Sequence, residues 1–404
     1  VEDDWSPRGR KVFALWNPPD ILETGGGEIH RSSNLETAEL LARLMRLGVR
    51  TIAFSRSRKA AELVYGYVHR ILDAGERELA ERIAAYRRGY LPQQRREIER
   101  RLFAGELLAV STTNALELGV DIGELEACLM NGYPGTIAST WQQAGRAGRR
   151  QDESLAVLIA ADDPLDQYLV RHPEFIFGSS CEEAVIDLEN QRILGAHLAC
   201  AAYEIPLRKK DEEYFGPAMW RAMEELEGGE TVRRKGDLWY YARRTAPAQD
   251  INLRSASGSL ISIVESDTGS LLGTVEEATS FFHVHPGAVY LHQGESYLVE
   301  DLDLERMVAL VRAERLDYYT NPMDNTDVAV LAEERRFAAA EGTCSMHYGQ
   351  VEVSTKVYAY QRRRMITHEV LETLGLDLPT QVLATRAVWY TLPPTRLARL
   401  DLED

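Results

Sequence analysis

The chain has 404 residues, of which 45% are hydrophobic and 27% are charged, close to the average of globular domains. That composition excludes a wholly disordered chain, a collagen and a coiled-coil rod, and the length predicts two to four domains. No run approaches the ~18 apolar residues of a membrane-spanning helix, and Val1–Trp5 lacks the pattern of a signal peptide. We therefore expect a cytoplasmic protein with no membrane partner, and the missing initiator Met predicts a fragment.

The net charge of −17 argues at first against a nucleic-acid partner. Between Arg43 and Arg150, however, 18 Lys and Arg stand against 12 Asp and Glu. Contacts in a groove depend on the local potential rather than on the total charge. A basic face in an otherwise acidic protein is therefore compatible with binding DNA.

Residues 1–30 predict an interdomain linker, because Asn17–Asp20 and Gly25–Gly27 are strong breakers. Ser33 and Glu36 have the spacing of a capping box and predict the start of a helix. Further helices are predicted at 58–73 and 93–103, and short apolar runs predict strands at 49–54, 107–110, 127–130 and 155–160. Apolar strands alternating with helices are typical of a parallel α/β sheet.

The pattern changes after Pro173. Helices are predicted at 182–203 and 218–226, followed by a β-hairpin that turns at Lys235-Gly236-Asp237. Helices followed by a basic hairpin suggest a winged helix, and an ordinary α+β insertion is the alternative. Residues 251–319 predict a small β-rich barrel or sandwich, and residues 324–404 predict a helix with strands at 350–360 and near 382–390.

The sharpest motif is the segment 141–150, in which Arg146 and Arg149 each follow a glycine. Glycine lets the backbone approach a ligand closely, and two guanidinium groups at this spacing can contact one set of phosphate oxygens. The alternative is a basic helix terminus on a solvated face.

Residues 142–149 resemble motif VI of superfamily 2 helicases, Q-x-x-G-R-x-G-R. Residues 111–123 resemble motif V, residues 52–58 resemble motif IV, and residues 86–96 look like the segment between motifs IV and V. Together they describe the second RecA-like domain of such an enzyme, at residues 31–175.

Three further segments, at 196–207, 283–294 and 317–320, resemble a group of RecQ-like 3′→5′ DNA helicases of the MrfA/SftH/YprA type, associated with DNA repair. The resemblance implies a winged-helix-like domain at 176–250 and a β-rich domain at 251–322. It also implies that residues 323–404 begin a C-terminal accessory domain with a four-cysteine zinc site.

Two departures from the family pattern predict a piece of a larger protein. None of the six lysines follows a glycine, so a Walker A loop is impossible, and no DEAH-like box is present. The cysteine cluster is also missing. We therefore expect that ATP and Mg²⁺ bind mainly to a missing first RecA-like domain, that Zn²⁺ binds only to a missing C-terminal segment, and that this chain alone is inactive.

The resemblance assigns roles to individual residues. Arg146 and Arg149 would be arginine fingers, and Gln142 would face the nucleotide. Asp121 would contact ribose or couple the ATP state to DNA, with Gly119 allowing the turn. Five residues would contact the DNA backbone, with ordinary capping or turn chemistry as the alternative: Ser57, Arg58, Thr112, Thr113 and Asn114.

The predicted wing carries Arg233 and Arg234 beside Trp239, Tyr240 and Tyr241. These residues could touch duplex or stack on an unpaired base, and the alternative is that the aromatic rings pack on the domain core.

Three histidines, His283, His285 and His292, invite a metal hypothesis. They lack a carboxylate or Cys at matching spacing, so we predict no metal site.

The sequence thus predicts the C-terminal part of an ATP-dependent 3′→5′ DNA helicase that acts on single-stranded or 3′-tailed DNA, with the first RecA-like domain as its partner in cis. Two alternatives stay open. One is a non-catalytic DNA-binding adaptor, a half-helicase. The other is an RNA helicase or duplex translocase with the same motor.

Overall fold

The computed structural model describes residues 9–22, 28–73, 75–118, 123–148, 153–249, 251, 259–338 and 344–392. Three of the predicted site residues, Gly119, Asp121 and Arg149, lie outside the described residues. No helix in these ranges is long and apolar enough to cross a membrane.

The first part of the chain alternates strands with helices. Its elements are β1 (Lys11–Trp16), β2 (Asp20–Leu22), β3 (Glu28–His30), α1 (Ser33–Arg46), β4 (Thr51–Ser55), α2 (Arg58–Leu72), α3 (Arg77–Ala80), β5 (Ile83–Tyr86), α4 (Pro92–Phe103), β6 (Ala109–Thr112), β7 (Ala127–Asn131), α5 (Ile137–Ala144), β8 (Ser154–Ile159), α6 (Pro164–Arg171) and α7 (Glu174–Gly178). Six strands form one all-parallel sheet in the order β1-β8-β7-β4-β6-β5.

This sheet has a hydrophobic core on each face. Phe54 and Met130 belong to one cluster, and Ala53 and Leu129 belong to the other. Successive side chains of a strand point to opposite faces, so strands covered by helices on both sides must be apolar throughout. The predicted parallel α/β architecture is confirmed.

Two local predictions near the start of the chain are wrong. Lys11–Trp16 lies in the predicted linker but forms edge strand β1, which pairs in parallel with β8. The Lys11 ammonium group reaches the carbonyls of Ala144 and Ala147 at 2.6 and 2.8 Å. The N-cap of α1 is Ser32 rather than Ser33, and it has no side-chain cap hydrogen bond. Glu36 accepts a hydrogen bond from Trp16 Nε1 at 3.0 Å.

The next part contains α8 (Gln191–Glu204), β9 (Leu207–Arg208), α9 (Glu212–Phe215), α10 (Met219–Gly228), β10 (Val232–Lys235) and β11 (Leu238–Tyr241). The predicted hairpin is confirmed, with Arg234 opposite Trp239 and Lys235 opposite Leu238. Helices α8 and α10 pack on it through a separate small core. The helix predicted from residue 182 begins only at Gln191.

The β-rich region follows as β12 (Leu260–Glu265), β13 (Leu271–Glu276), α11 (Glu277–His283), β14 (Val289–His292), β15 (Glu295–Asp303), β16 (Val308–Ala313), β17 (Tyr318–Ala338), β18 (Ser345–Arg364), β19 (Val370–Gly375) and β20 (Gln381–Thr391). Five of these strands form a sheet in the order β13-β12-β16-β15-β14, and β18 pairs with β17, β19 and β20.

The helix predicted within residues 324–404 is wrong for the described part of that range, which is dominated by strands. The segment 328–337 contains Ala, Leu, Glu and Arg, all good helix formers. It nevertheless pairs with β18 in a ladder that runs from Tyr318 opposite Arg364 to Ala338 opposite Ser345. Such non-local pairing overrides a weak local propensity.

Candidate functional site

The carboxyl ends of the parallel strands bring the motif IV and motif V segments to one edge of the sheet. Strand β4 ends at Ser55 and β6 ends at Thr112, and the two strands are direct neighbours. Ser57 caps α2, its Oγ accepting a hydrogen bond from the Ala60 N–H at 3.0 Å. Its side chain is exposed, as is that of Asn114 at the start of a short 3₁₀ helix. This edge is where open α/β sheets bind ligands.

Two of the predicted DNA contacts are buried. Thr112 is fully buried, and its hydroxyl donates to the Thr113 carbonyl oxygen at 3.0 Å. Thr113 is only 9% exposed. Of the three predicted motif V contacts, the structure therefore exposes only the Asn114 side chain, and the burial of the two threonines favours turn chemistry for them.

Arg146 lies in the turn after α5. Its guanidinium group is buried and donates to the carbonyl oxygen of Glu117, with Nε at 2.9 Å. Gly148 has a φ of +75°, and a Cβ there would lie 2.3 Å from Ser154 Oγ. The second glycine of the motif is therefore needed for the close turn that follows Arg146.

Glu117 joins the motif V and motif VI segments and was missed by the sequence reasoning. Its buried carboxylate accepts hydrogen bonds from Ser139 Oγ at 2.7 Å and Gln143 Nε2 at 2.8 Å. Both donors are on α5, so Glu117 holds this helix against the loop that follows β6. The inward side chain is thus Gln143, whereas Gln142 is exposed and its predicted contact with nucleotide stays a prediction. The sequence offered one signal for this role, because Glu117 is the acidic residue within the otherwise apolar segment 115–120.

The hairpin β10–β11 places Arg233 and Arg234 on an exposed surface. The Arg234 guanidinium lies 5.0 Å from the ring centre of Trp239 and donates to the Gly236 carbonyl at 2.9 Å. Trp239 itself is 4% exposed and packs on Trp220, which supports the core alternative for that ring. Tyr240, however, is 39% exposed, so the surface of the hairpin carries one exposed ring beside its arginines.

The comparisons with known proteins agree with this arrangement. Residues 36–151 match the family described as the helicase conserved C-terminal domain, and residues 186–256 match the winged helix domain of ATP-dependent helicase HRQ1. The chain is 40% identical to the uncharacterized ATP-dependent helicase YprA of Bacillus subtilis, covering 97% of this chain and 52% of YprA. The DUF1998 helicase MrfA bound to DNA matches with a TM-score of 0.79 and 39% identity, covering 96% of this chain and 51% of MrfA.

Over almost its whole length the chain is similar to superfamily 2 helicases of the MrfA/YprA type.

The chain spans about half the length of YprA and MrfA. For ATP-dependent helicase HRQ1 of Saccharomyces cerevisiae, the share is 37% at 31% identity, again with 97% of this chain covered. In each case the segment that matches this chain is only a part of the longer relative.

In this chain the β-rich region is joined to the RecA-like sheet by hydrogen bonds from Arg87, which also forms a buried ion pair within the RecA-like part. Arg87 Nε donates to Glu62 Oε1 at 2.8 Å, and both side chains are almost fully buried. Arg87 Nη2 also donates to the Tyr290 hydroxyl at 2.8 Å and the Leu291 carbonyl at 2.9 Å. Glu62 lies in α2 and Arg87 directly follows β5, so the Arg87 hydrogen bonds place the β-rich region beside the carboxyl edge of the sheet.

The backbones of the two regions also meet directly. Thr274 N–H donates to the Gly89 carbonyl at 3.2 Å, and a Cβ on Gly273 would lie 2.3 Å from that oxygen. Only glycine at position 273 allows this approach.

The three histidines of the metal hypothesis have separate surroundings. His285 packs against Tyr360 with ring centres 4.7 Å apart, whereas His292 packs against Tyr90 at 4.8 Å. Burial, followed by nearby positive charge, lowers the pKa of His283 and His292 to about 4. Among the described residues no group of three or more His, Cys, Asp or Glu side chains is arranged to hold a metal ion.

Proposed function

We propose that this chain is the C-terminal part of an ATP-dependent 3′→5′ DNA helicase that translocates on single-stranded DNA, separates duplex and serves DNA repair. The observation that carries the proposal is the joined geometry of motifs V and VI, in which Arg146 is held on the carbonyl of Glu117. The names of its relatives, ATP-dependent helicases and a helicase bound to DNA, support the same reaction class.

ATP hydrolysis between two RecA-like domains needs phosphate cradling and Mg²⁺ from one domain and cationic charge from the other. This chain would supply the cationic side through Arg146 and Arg149, with Gln142, Gly119 and Asp121 completing its half of the site. The other half would come from a first RecA-like domain in cis. A four-cysteine Zn²⁺ site is expected outside this chain, and the cytoplasm is the expected location.

DNA would contact the exposed part of the sheet edge and the wing. Ser57 and Arg58 stand at the N-terminus of α2, where backbone N–H groups favour phosphate. Glu117 accepts hydrogen bonds from α5 and, through its carbonyl, from Arg146, so a movement of the motif V loop on DNA would reach Arg146 directly. This link is the proposed route by which DNA binding stimulates turnover.

The activity of the chain by itself tests the division of the nucleotide site. We expect negligible DNA-stimulated ATPase from the purified chain, because half of the site would be absent, and robust ATPase from the full-length protein. Phosphate release with and without single-stranded DNA measures both. ATP turnover by the chain alone that disappears in Arg146→Ala would contradict the division, and a full-length protein without turnover would favour the adaptor alternative.

Charge reversals test the DNA surfaces. We expect the chain to bind single-stranded or 3′-tailed DNA weakly, with a log–log salt slope of about −0.7 per phosphate contact. Arg58→Glu should weaken binding at the sheet edge, and the pair Arg233→Glu/Arg234→Glu should weaken it at the wing.

Fluorescence anisotropy at low salt measures this binding. The pair Arg77→Glu/Arg306→Glu is a matched control for the wing pair, because both arginines are more than 80% exposed and lie outside the proposed surfaces. If Arg58→Glu and the wing pair both bind like wild type, the surfaces are misassigned. Equal or tighter binding of RNA would favour the RNA-helicase alternative.

A further inference from the structure

A cavity of about 310 Å³ lies between the N-terminus of α2 and the β-rich region. Its volume is at the lower end of the range for ligand pockets. Arg58 and Lys59 line it from the RecA-like side, and His283, Tyr290 and Asn321 line it from the β-rich side. His283 and Tyr290 belong to the segment 283–294, and Asn321 directly follows the segment 317–320. The proposed ATPase chemistry assigns no role to either segment.

The polar side of the cavity has an excess of positive charge. Burial, followed by repulsion from Arg363, lowers the pKa of Lys59 to about 8, and burial also lowers the pKa of Arg58. In the described part of the chain neither residue forms an ion pair with a carboxylate. The Lys59 ammonium group donates instead to Asn321 Oδ1 at 2.8 Å and to the Thr320 carbonyl at 3.3 Å. An anion in the cavity would offset this poorly compensated charge.

The remaining walls are suited to a nucleoside. Six apolar side chains line the cavity, with all but Phe282 from strands of the β-rich region: Ile263, Val275, Phe282, Val289, Leu291 and Pro322. Glu62 also lines it and is 3% exposed, and its Oε2 receives no hydrogen bond from the described residues. A buried acceptor of this kind favours a ligand that carries an N–H or O–H donor.

We propose that this cavity is a nucleotide subsite on the path of single-stranded DNA, where one phosphodiester binds at Arg58 and Lys59 and the adjoining nucleoside lies against the apolar wall. This inference rests on the proposed function. It adds that the β-rich region forms part of the DNA path instead of being only an accessory domain. Ser57 lines the cavity, is exposed and lies at the same sheet edge as Asn114. Single-stranded DNA can therefore continue from Ser57 to Asn114.

The experiment measures binding of a fluorescent oligothymidylate to the whole chain. His283→Glu places a negative charge in the cavity and should weaken binding about tenfold or more. Ala278→Glu adds the same charge at an exposed position of the same helix, α11, and should bind like wild type. His283→Gln keeps a neutral polar side chain, so wild-type binding by this variant assigns the effect of His283→Glu to its charge rather than to loss of the imidazole, and an unchanged circular dichroism spectrum of His283→Glu excludes a folding defect.

A chemical footprint on the wild-type chain gives a second readout. Lys59, with its lowered pKa, should be reductively methylated at pH 8 in the free chain and protected when oligothymidylate is bound. Wild-type binding by His283→Glu together with an unprotected Lys59 would overturn the subsite while leaving the proposed function intact. No binding by the wild-type chain would count against both. If thymidine monophosphate protects Lys59 as well as oligothymidylate does, the cavity binds a free nucleotide rather than single-stranded DNA, and the inference is overturned.

Discussion

In the full-length protein, Arg146→Ala should reduce DNA-stimulated ATP turnover by about 10³-fold or more, the scale of arginine-finger loss in related phosphoryl transfer. A finger acts on charge that develops in the transition state, so ATP binding should weaken much less than turnover. Steady-state phosphate release gives the turnover, and equilibrium titration with a non-hydrolysable ATP analogue gives the affinity. Arg149→Ala is expected to have the same effect, because it has the same place relative to its glycine.

Two further variants separate a finger from a general charge effect. Arg146→Lys keeps the charge but loses the guanidinium fork and should remain strongly impaired. Arg77→Ala removes an exposed arginine of the same domain and should keep wild-type turnover. A variant at Arg146 that retains half of the wild-type rate would remove this residue from the proposed role.

Arg87→Met should destabilise the chain by about 3–5 kcal/mol, the usual cost of breaking a buried ion pair from one side. The substitution leaves the carboxylate of Glu62 buried and uncompensated, and it removes the donors to Tyr290 and Leu291. The pair Arg87→Met/Glu62→Gln should recover part of the loss, because the second change removes the stranded charge.

Chemical denaturation followed by circular dichroism measures both variants. Arg101→Met is a suitable control, because the Arg101 side chain is 35% exposed and its carboxylate partner Glu106 lies 3.8 Å away and is 45% exposed, and ion pairs near the surface contribute roughly 0–1 kcal/mol. If Arg87→Met unfolds at the same denaturant concentration as the control, the buried contacts of Arg87 do not contribute to stability as expected.

Several predictions from sequence were correct because they rest on local patterns. The apolar runs that became β4, β7 and β8 must be buried on both faces, which parallel strands between two helical layers satisfy. The hairpin turn at Gly236 was predicted from the turn residues themselves, and its φ of +65° is one that glycine adopts freely. The motif segments in turn indicated the family.

Predictions failed where the deciding partner lies far away in the sequence. Lys11–Trp16 looked like part of a linker, yet it completes the sheet by pairing with a strand more than 140 residues later. Thr112 and Thr113 were assigned to DNA because they follow a strand, but the packing around them decides that they are buried. A pattern of polar residues does not reveal which of them face solvent.

The sequence by itself determined the α/β class, the hairpin and the identity of the motif VI segment, since each depends on residues within a short window. The tertiary structure alone decided that Glu117 holds α5 against the motif V loop and that Arg87 bonds to Tyr290 across two regions. It also decided that Arg58, Lys59 and His283 share one cavity. These groups are separated by up to about 230 residues of chain, and their charges and hydrogen bonds act only over a few ångströms.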